Sequence, residues 1–253
     1  MQAVIFIVKL ILYFCGVIIY ILPQKYRRIT MSKIRLYHGS QMIIEKPEYN
    51  GGKIHNDYGQ GFYCTKHIEL AKEWAVDEDF DGYVNTYEID LSGLKILNLN
   101  DDKYSILHWL TILLEHRTMR MNGPVAEDGL DFLKKHYHMD ISGYDAIIGY
   151  RADDSYFSFA RAFIANSISI AQLERAMYLG ELGEQYFIQS EKAFSKLIFK
   201  EYIEVASSDY YPLKKSRDNK ARSDFNYITK SLDKEGTFIL DLMREERENG
   251  TSL

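Results

Sequence analysis

The sequence predicts an α+β fold, because strand patterns and helix patterns both occur and do not alternate regularly. Short runs that alternate in hydrophobicity, or that are rich in branched and aromatic residues, predict strands at residues 33–38, 61–65, 84–89, 94–99, 144–149 and 185–189. Apolar residues at helical spacing predict a helix soon after Thr65 and further helices at residues 103–115, 127–136, 154–165, 170–178 and 191–198. A doubly wound parallel sheet would require regular alternation of the two elements, so it is not expected.

The composition fits one globular domain with appendages. The chain has 253 residues, of which 46% are hydrophobic and 26% are charged. The formal net charge of -5 and the pI of about 5.8 give no electrostatic footprint for nucleic acid, so a nucleic-acid partner is not indicated. The two cysteines, Cys15 and Cys64, lie in different sequence contexts, which argues against a disulfide framework and favours a reducing compartment.

The amino terminus contains a candidate membrane anchor. Residues 3–22 form an apolar run that is interrupted only by Lys9 and is long enough to cross a bilayer as a helix. The basic residues at 25–28 follow this run and predict a single-pass membrane protein whose bulk faces the cytoplasm. A secretory signal peptide would carry its basic region before the apolar run, so it is disfavoured. Alternatively, translation starts at Met31, residues 1–30 are a mis-called start, and the protein is cytoplasmic.

The expected domain boundaries follow from changes in composition. Residues 31–210 contain the mixed strands and helices of the predicted domain. From about residue 211 the chain becomes rich in charges of both signs, which predicts a solvated, partly amphipathic, charged helical tail over residues 211–253.

Two glycine-containing segments adjoin predicted strands. Residues 36–40 (LYHGS) end the first strand, and residues 58–65 (YGQGFYCT) contain the second. Glycine suits a strand whose edge touches a flat ligand, because no side chain separates the backbone from that ligand. The two segments are therefore the candidate binding residues.

The order of these motifs resembles the NAD-binding half of the ADP-ribosyltransferase superfamily, in the branch of the poly(ADP-ribose) polymerases and diphtheria toxin. The resemblance rests on the His-Gly-Ser triplet at residues 38–40, the Gly-x-Gly-aromatic-Tyr segment that ends at Tyr63, and a third segment near Gln185. Within the superfamily the sequence is similar to a bacterial group known as DUF3990, over about residues 34–225. The resemblance implies a split, mostly antiparallel β-sheet with flanking helices around an NAD cleft.

The resemblance also implies how the first two motifs would bind NAD. His38 would hydrogen-bond the adenosine ribose, although a lone histidine at a strand end more often has a purely structural role. Gly39 would present its backbone to the nicotinamide carboxamide, and Ser40 could add a hydroxyl contact to the same amide. Gly61 would let the second strand approach the ligand closely.

Two aromatic residues would enclose the nicotinamide ring. Tyr63 would stack on one face of the ring, and Trp74 would close the other face from the following helix, where the polymerases carry a second tyrosine. Core packing is the alternative role for both side chains.

The third segment carries the candidate catalytic residues, together with Tyr63. Gln185 stands where the polymerases carry their catalytic glutamate, and an amide can bind a ribose hydroxyl but cannot supply negative charge to an oxocarbenium-like transition state. Glu191 gives a Gln-x-Glu pattern with Gln189, like that of several bacterial toxins, although acidic residues are also common in the first turn of a helix. Glu184 ranks third, because adjacent strand residues face opposite sides.

These residues predict an NAD-dependent mono-ADP-ribosyltransferase that releases nicotinamide and modifies an unknown macromolecular or small-molecule acceptor. A catalytically inactive NAD-binding module, favoured by the neutral Gln185, and an NAD glycohydrolase are the alternatives. A metal site is not expected, because His136, His138 and Asp140 lack a fourth ligand at useful spacing.

Overall fold

The computed structural model describes residues 33–117, 123–151, 154–231 and 233–250. The strands in these ranges are β1 (Lys33–Ser40), β2 (Phe62–Thr65), β3 (Gly82–Asp90), β4 (Ile96–Asn98), β5 (Ala146–Tyr150), β6 (Glu184–Ile188) and β7 (Leu197–Val205). The α-helices are α1 (Ile68–Ala75), α2 (Ile106–His116), α3 (Pro124–Tyr137), α4 (Asp154–Ile164), α5 (Ile170–Met177), α6 (Glu191–Phe194), α7 (Ser207–Lys230) and α8 (Ile239–Gly250). From Lys33 onward the chain forms one compact unit.

The strands form one open sheet in the order β4-β5-β6-β2-β1-β3-β7. Neighbouring strands are antiparallel throughout, except for the parallel pair β4 and β5. The predicted α+β class with a mostly antiparallel sheet and flanking helices is therefore confirmed.

The junction between β1 and β2 is the weakest pairing within the sheet. These two strands share a register of one residue pair, Tyr37 opposite Thr65. In contrast, β1 pairs with β3 over its full length from Lys33 to Ser40, and β2 pairs with β6 from Phe62 to Thr65. The ladder of backbone hydrogen bonds is therefore interrupted where the two glycine-containing segments meet.

The two faces of the sheet bury different clusters. Leu36, Phe62 and Cys64 belong to a small cluster on one face. Phe187 belongs to the larger cluster on the other face, to which the buried sides of α2, α3, α4, α5, α7 and α8 contribute. Successive residues of a strand alternate between these faces, so each site residue can be assigned to a face from the strand register.

The prediction of a helix over residues 191–198 is wrong in its second half. α6 ends at Phe194, and β7 begins at Leu197 and pairs with β3 as the edge strand of the sheet. Most residues of β7 are exposed. The strand therefore lacks the alternation of hydrophobicity by which a half-buried strand is recognised.

The region predicted as a solvated tail packs into the larger core cluster. α7 begins at Ser207, so the expected boundary at residue 210 falls inside a helix. Phe225 and Ile228 of α7 and Ile239 of α8 are buried in that cluster. The two helices therefore contribute to the core that supports the sheet.

The prediction of a single-pass membrane protein is corrected. Within the described ranges, no helix combines the length and the apolar character that are needed to cross a bilayer. A span takes about 20 apolar residues, whereas α7 has 24 residues but is mostly polar, and the apolar α2 has only 11. The expected anchor at residues 3–22 lies outside the described residues.

Candidate functional site

His38 lies at the interrupted junction between β1 and β2. Its Nδ1 is 2.7 Å from the backbone carbonyl oxygen of Tyr63, and its ring stacks on Phe62 with 4.3 Å between ring centroids. Burial lowers the pKa of the imidazole, partly offset by the bond to the carbonyl. Because a carbonyl can only accept, the neutral ring must donate from Nδ1, which leaves Nε2 as an acceptor. A hydroxyl group is a suitable donor to that nitrogen.

Tyr63 is held by both its ring and its hydroxyl group. The hydroxyl donates to the backbone oxygen of Gly59 at 2.6 Å and accepts from the backbone N–H of Tyr58 at 3.1 Å. The ring packs against Phe187 with 4.8 Å between centroids. Burial raises the pKa of Tyr63 far above its ordinary value, so the phenol is neutral and does not act as a base. Its chemistry is therefore limited to packing and hydrogen bonding.

Gln185 contacts a partly buried ion pair. Its Nε2 lies 3.5 Å from Oδ2 of Asp57, a residue that is 4% exposed. The other oxygen, Oδ1, accepts from Nε and Nη2 of Arg117 at 3.0 and 2.7 Å. The amide at the position of the expected catalytic glutamate therefore adjoins a carboxylate from a different part of the chain.

The register of the strands places these side chains on two faces of the sheet. Thr65 lies opposite Gln185, and Tyr63 precedes Thr65 by two residues, so Tyr63 and Gln185 share a face. His38 stacks on Phe62, which points to the opposite face. The structure therefore brings Tyr63 and Gln185 together on one side of β2. His38 joins them through the backbone of Tyr63.

Gly39 and Gly61 are both sites of close packing. A Cβ atom at Gly39 would lie 2.1 Å from the backbone oxygen of Ala71 in α1, and one at Gly61 would lie 2.3 Å from the ring of Phe187. The glycine of the first motif therefore allows α1 to pack directly on β1, and that of the second allows β2 to approach β6. Ser40 accepts a hydrogen bond from the backbone N–H of Met42 at 3.2 Å, which fixes the turn after β1.

Trp74 faces a cation. The guanidinium carbon of Arg151 lies 3.6 Å from the centroid of the indole ring, an arrangement typical of a cation–π contact. The indole Nε1 is buried, and within the described part of the chain it has no hydrogen-bond partner. The ring predicted to stack on nicotinamide therefore carries a flat cation on one face.

The contact between Arg151 and Trp74 bridges the centre of the sheet. Arg151 directly follows β5, and Trp74 belongs to α1, whose backbone packs on Gly39 of β1. β6 and β2 lie between β5 and β1. Two residues before Arg151, Gly149 of β5 lies opposite Gln185 of β6. The contact therefore links a residue that follows β5 to a helix that packs on β1.

The other two acidic candidates lie away from this cluster. Glu191 is an exposed residue in the first turn of α6, at the opposite end of β6 from Gln185. Gln189, its partner in the Gln-x-Glu pattern, donates instead to the backbone oxygens of Ile141 and Tyr144 at 2.6 and 2.7 Å. Glu184 accepts a hydrogen bond from Asn100 at 2.8 Å and occupies the face opposite Gln185.

Sequence reasoning missed Asp57 and Arg117. Asp57 follows Asn56 in a loop of turn composition, and Arg117 directly follows α2. Their ion pair joins positions 60 residues apart, and the contact with Gln185 joins positions 128 apart. Local patterns do not reveal such pairs, so the only available signal was an acidic residue near the glycine motif.

A comparison with protein families matches residues 34–199 to a family described as "Protein of unknown function (DUF3990)". No curated protein and no solved structure matches the chain. The wider likeness to ADP-ribosyltransferases therefore rests on the residues of the site alone.

Proposed function

The chain belongs to the DUF3990 family. We propose that it cleaves NAD and transfers a single ADP-ribose group, with release of nicotinamide. The observation that carries the proposal is the cluster at the interrupted β1–β2 junction. There the Nδ1 of His38, on one face of the sheet, binds the carbonyl of Tyr63, whose side chain shares the other face with Gln185 of the adjoining strand β6. The same three residues form the motifs that resemble the transferases.

Each group has a chemical role in this proposal. The free acceptor of His38, Nε2, binds a hydroxyl group of the adenosine ribose. Gln185 binds the 2′-hydroxyl of the nicotinamide ribose, where hydrogen bonds strengthen as positive charge develops on the sugar. Tyr63 and Trp74 hold the nicotinamide leaving group by aromatic contact. Because Gln185 has no charge, a single transfer is favoured over chain elongation.

Access to Gln185 requires a side chain to move, because this residue is only 3% exposed. Arg151 directly follows β5, the neighbour of β6, and contacts the indole ring of Trp74. A guanidinium group and the nicotinamide ring of NAD are both flat cations, and both suit an indole face. We therefore assign Arg151 as the group that leaves Trp74 when the nicotinamide ring binds.

A catalytically inactive NAD-binding module is the second candidate. The observation that favours it is the neutral amide at residue 185, which cannot stabilise an oxocarbenium ion by charge. Such a module would bind NAD with the same residues and leave the glycosidic bond intact.

The test is incubation of the full-length protein with a cell extract and NAD labelled in either the adenylate phosphate or the nicotinamide. Adenylate label on an acceptor, with equal release of nicotinamide, supports transfer. Release of nicotinamide together with free ADP-ribose would show that the protein hydrolyses NAD and does not transfer ADP-ribose. Binding of NAD in calorimetry without either product would favour the inactive module, and no binding would refute both proposals.

A matched pair of variants ties the activity to the junction. His38→Ala should slow nicotinamide release by about tenfold, the effect of losing one hydrogen bond of about 1–1.5 kcal/mol. His55→Ala changes an exposed histidine on the loop between β1 and β2 and should leave the rate unchanged. Equal rates of nicotinamide release for the two variants would show that His38 does not take part in the site.

A further inference from the structure

Asp57 is an acidic residue whose contacts fix the orientation of Gln185. The carboxylate is buried, and its two oxygens have different partners. Oδ1 accepts both hydrogen bonds from Arg117, while Oδ2 faces Nε2 of Gln185 at 3.5 Å. Because carboxylate oxygens can only accept from a neighbouring amide, the NH₂ group of Gln185 is turned toward Asp57. Its carbonyl oxygen, Oε1, is therefore turned away from Asp57.

The position of Asp57 is itself fixed. The backbone N–H of Arg117 donates to the carbonyl oxygen of Leu113 at 3.0 Å, which ties this residue to the last turn of α2. Its guanidinium carbon lies 4.7 Å from the centroid of the Phe157 ring in α4. Because the backbone of Arg117 is fixed at the helix end and its guanidinium packs on an aromatic face, this side chain orients Asp57, and Asp57 in turn orients the amide of Gln185.

We propose that Asp57 is a positioning residue that makes Gln185 present its carbonyl oxygen to the 2′-hydroxyl of the nicotinamide ribose. The inference rests on the proposed function, in which the 2′-hydroxyl of the nicotinamide ribose is the partner of Gln185. Without the carboxylate, the amide could rotate and offer N–H groups, which cannot accept the hydroxyl hydrogen. The hydrogen bond that strengthens in the transition state would then be lost.

The kinetic test is Asp57→Asn in the full-length protein, with release of labelled nicotinamide as the readout. Asparagine keeps the shape but can donate toward Gln185, so the amide is free to rotate. We expect kcat to fall at least about tenfold, with less than a threefold change in the dissociation constant for NAD. Asp79→Asn changes an exposed aspartate and serves as the matched control. An unchanged kcat for Asp57→Asn would overturn the proposal.

A second test measures the contact between the two side chains without using NAD. Gln185→Glu places a second carboxylate beside Asp57, and like charges at this distance raise the pKa of the pair. A carboxyl group whose pKa is higher in the folded state destabilises the fold as pH rises above the ordinary carboxyl range. The urea midpoint of Gln185→Glu should therefore fall relative to wild type between pH 4 and pH 8. In the double variant with Asp57→Asn, that fall should be smaller, because only the part that is due to burial of the glutamate remains.

The two tests separate the possible failures. Parallel pH profiles for the single and double variants would show that Asp57 does not act on residue 185, and they would overturn the positioning role even if NAD is cleaved. If the pH profiles are as expected but NAD is not cleaved, the proposed function is wrong. The ribose is then not the partner of Gln185. The expected profiles together with the loss of kcat support both.

Discussion

Substitution of Gly39 by alanine tests whether the first glycine motif exists to let α1 pack on β1. A Cβ atom at this position would lie 2.1 Å from the backbone oxygen of Ala71, 2.6 Å from the backbone nitrogen of Ala75 and 2.9 Å from Cβ of Trp74. Two of these atoms belong to the backbone of α1, so no rotation of a side chain can make room for the methyl group.

The cost follows from the distance that the helix must move. Ordinary contact begins near 3.4 Å, so the oxygen of Ala71 must retreat by about 1.3 Å, the difference between 3.4 and 2.1 Å. Overpacking of this kind typically costs about 1–3 kcal/mol, and a contact with backbone atoms belongs at the upper end. For a domain of this size, about 3 kcal/mol lowers the melting temperature by about 6–12 °C. Because α1 carries Trp74, the displacement should also slow any release of nicotinamide.

The measurement is the melting temperature of Gly39→Ala against that of Gly143→Ala. Gly143 is exposed, and the nearest atom to its added methyl would be Nζ of Lys95, the end of a flexible side chain, at 3.4 Å. This control should melt close to wild type. If Gly39→Ala also melts within about 2 °C of wild type, less than the shift expected for 1 kcal/mol, then α1 does not depend on this glycine, and the packing argument fails.

Three further predictions concern pH, the indole stack and the packing of α7. Burial holds the pKa of His38 below 6.5, so the neutral imidazole stabilises the fold above that pH, and this stabilisation is lost as the pH falls. Between pH 7.5 and 5.5, the free energy of unfolding in urea should therefore decrease less for His38→Gln than for wild type. Arg151→Ala should shift the fluorescence emission of Trp74 and, if NAD is the substrate, lower KM by at least about two- to fivefold, since a cation–π contact contributes about 0.5–1 kcal/mol when exposed and more when partly buried, as it is here. Arg217→Leu leaves Glu73 buried without its ion-pair partner and should lower the free energy of unfolding by about 3–5 kcal/mol.

Each of these predictions has an outcome that would contradict it or a control variant in the same chain. Parallel stability curves for wild type and His38→Gln would contradict the role of burial at that histidine. Arg161→Ala removes an exposed arginine of α4 and should leave the emission unchanged. Lys220→Ala breaks an exposed pair with Asp224 and should cost no more than about 0.5 kcal/mol. If Arg217→Leu lowers the free energy of unfolding by no more than Lys220→Ala does, the pair of Arg217 and Glu73 contributes no more than an exposed pair.

The sequence predicts those parts of the fold that local patterns determine. Periodic apolar residues identify α2 and α3, and the runs before Gly39 and after Gly61 identify β1 and β2. β7 was not predicted, because an exposed edge strand is stabilised by its ladder with β3, and hydrophobic periodicity does not report that ladder. The packing of α7 was missed for a related reason: its buried residues are few, and its mean composition is polar.

The candidate site likewise depends on contacts that local sequence patterns do not report. His38, Tyr63 and Gln185 could be named because each belongs to a short motif, but their faces could not be assigned before the register of β1, β2 and β6 was known. Asp57 and Arg117 belong to no motif. Their pairing depends on how the β1–β2 loop packs against the end of α2, which is a property of the folded chain.

The neutral side chain at residue 185 has an electrostatic explanation in Asp57. A glutamate in its place would set two carboxylates about 3.5 Å apart, a repulsion of about 4–5 kcal/mol at an effective dielectric constant of about 20, offset in part by Arg117. Such a pair would retain a proton at pH values where a lone carboxyl group has lost it. The glutamine avoids this repulsion, and the carboxylate of Asp57 remains next to its side chain. The absence of a charge at residue 185 is therefore weak support for an inactive protein.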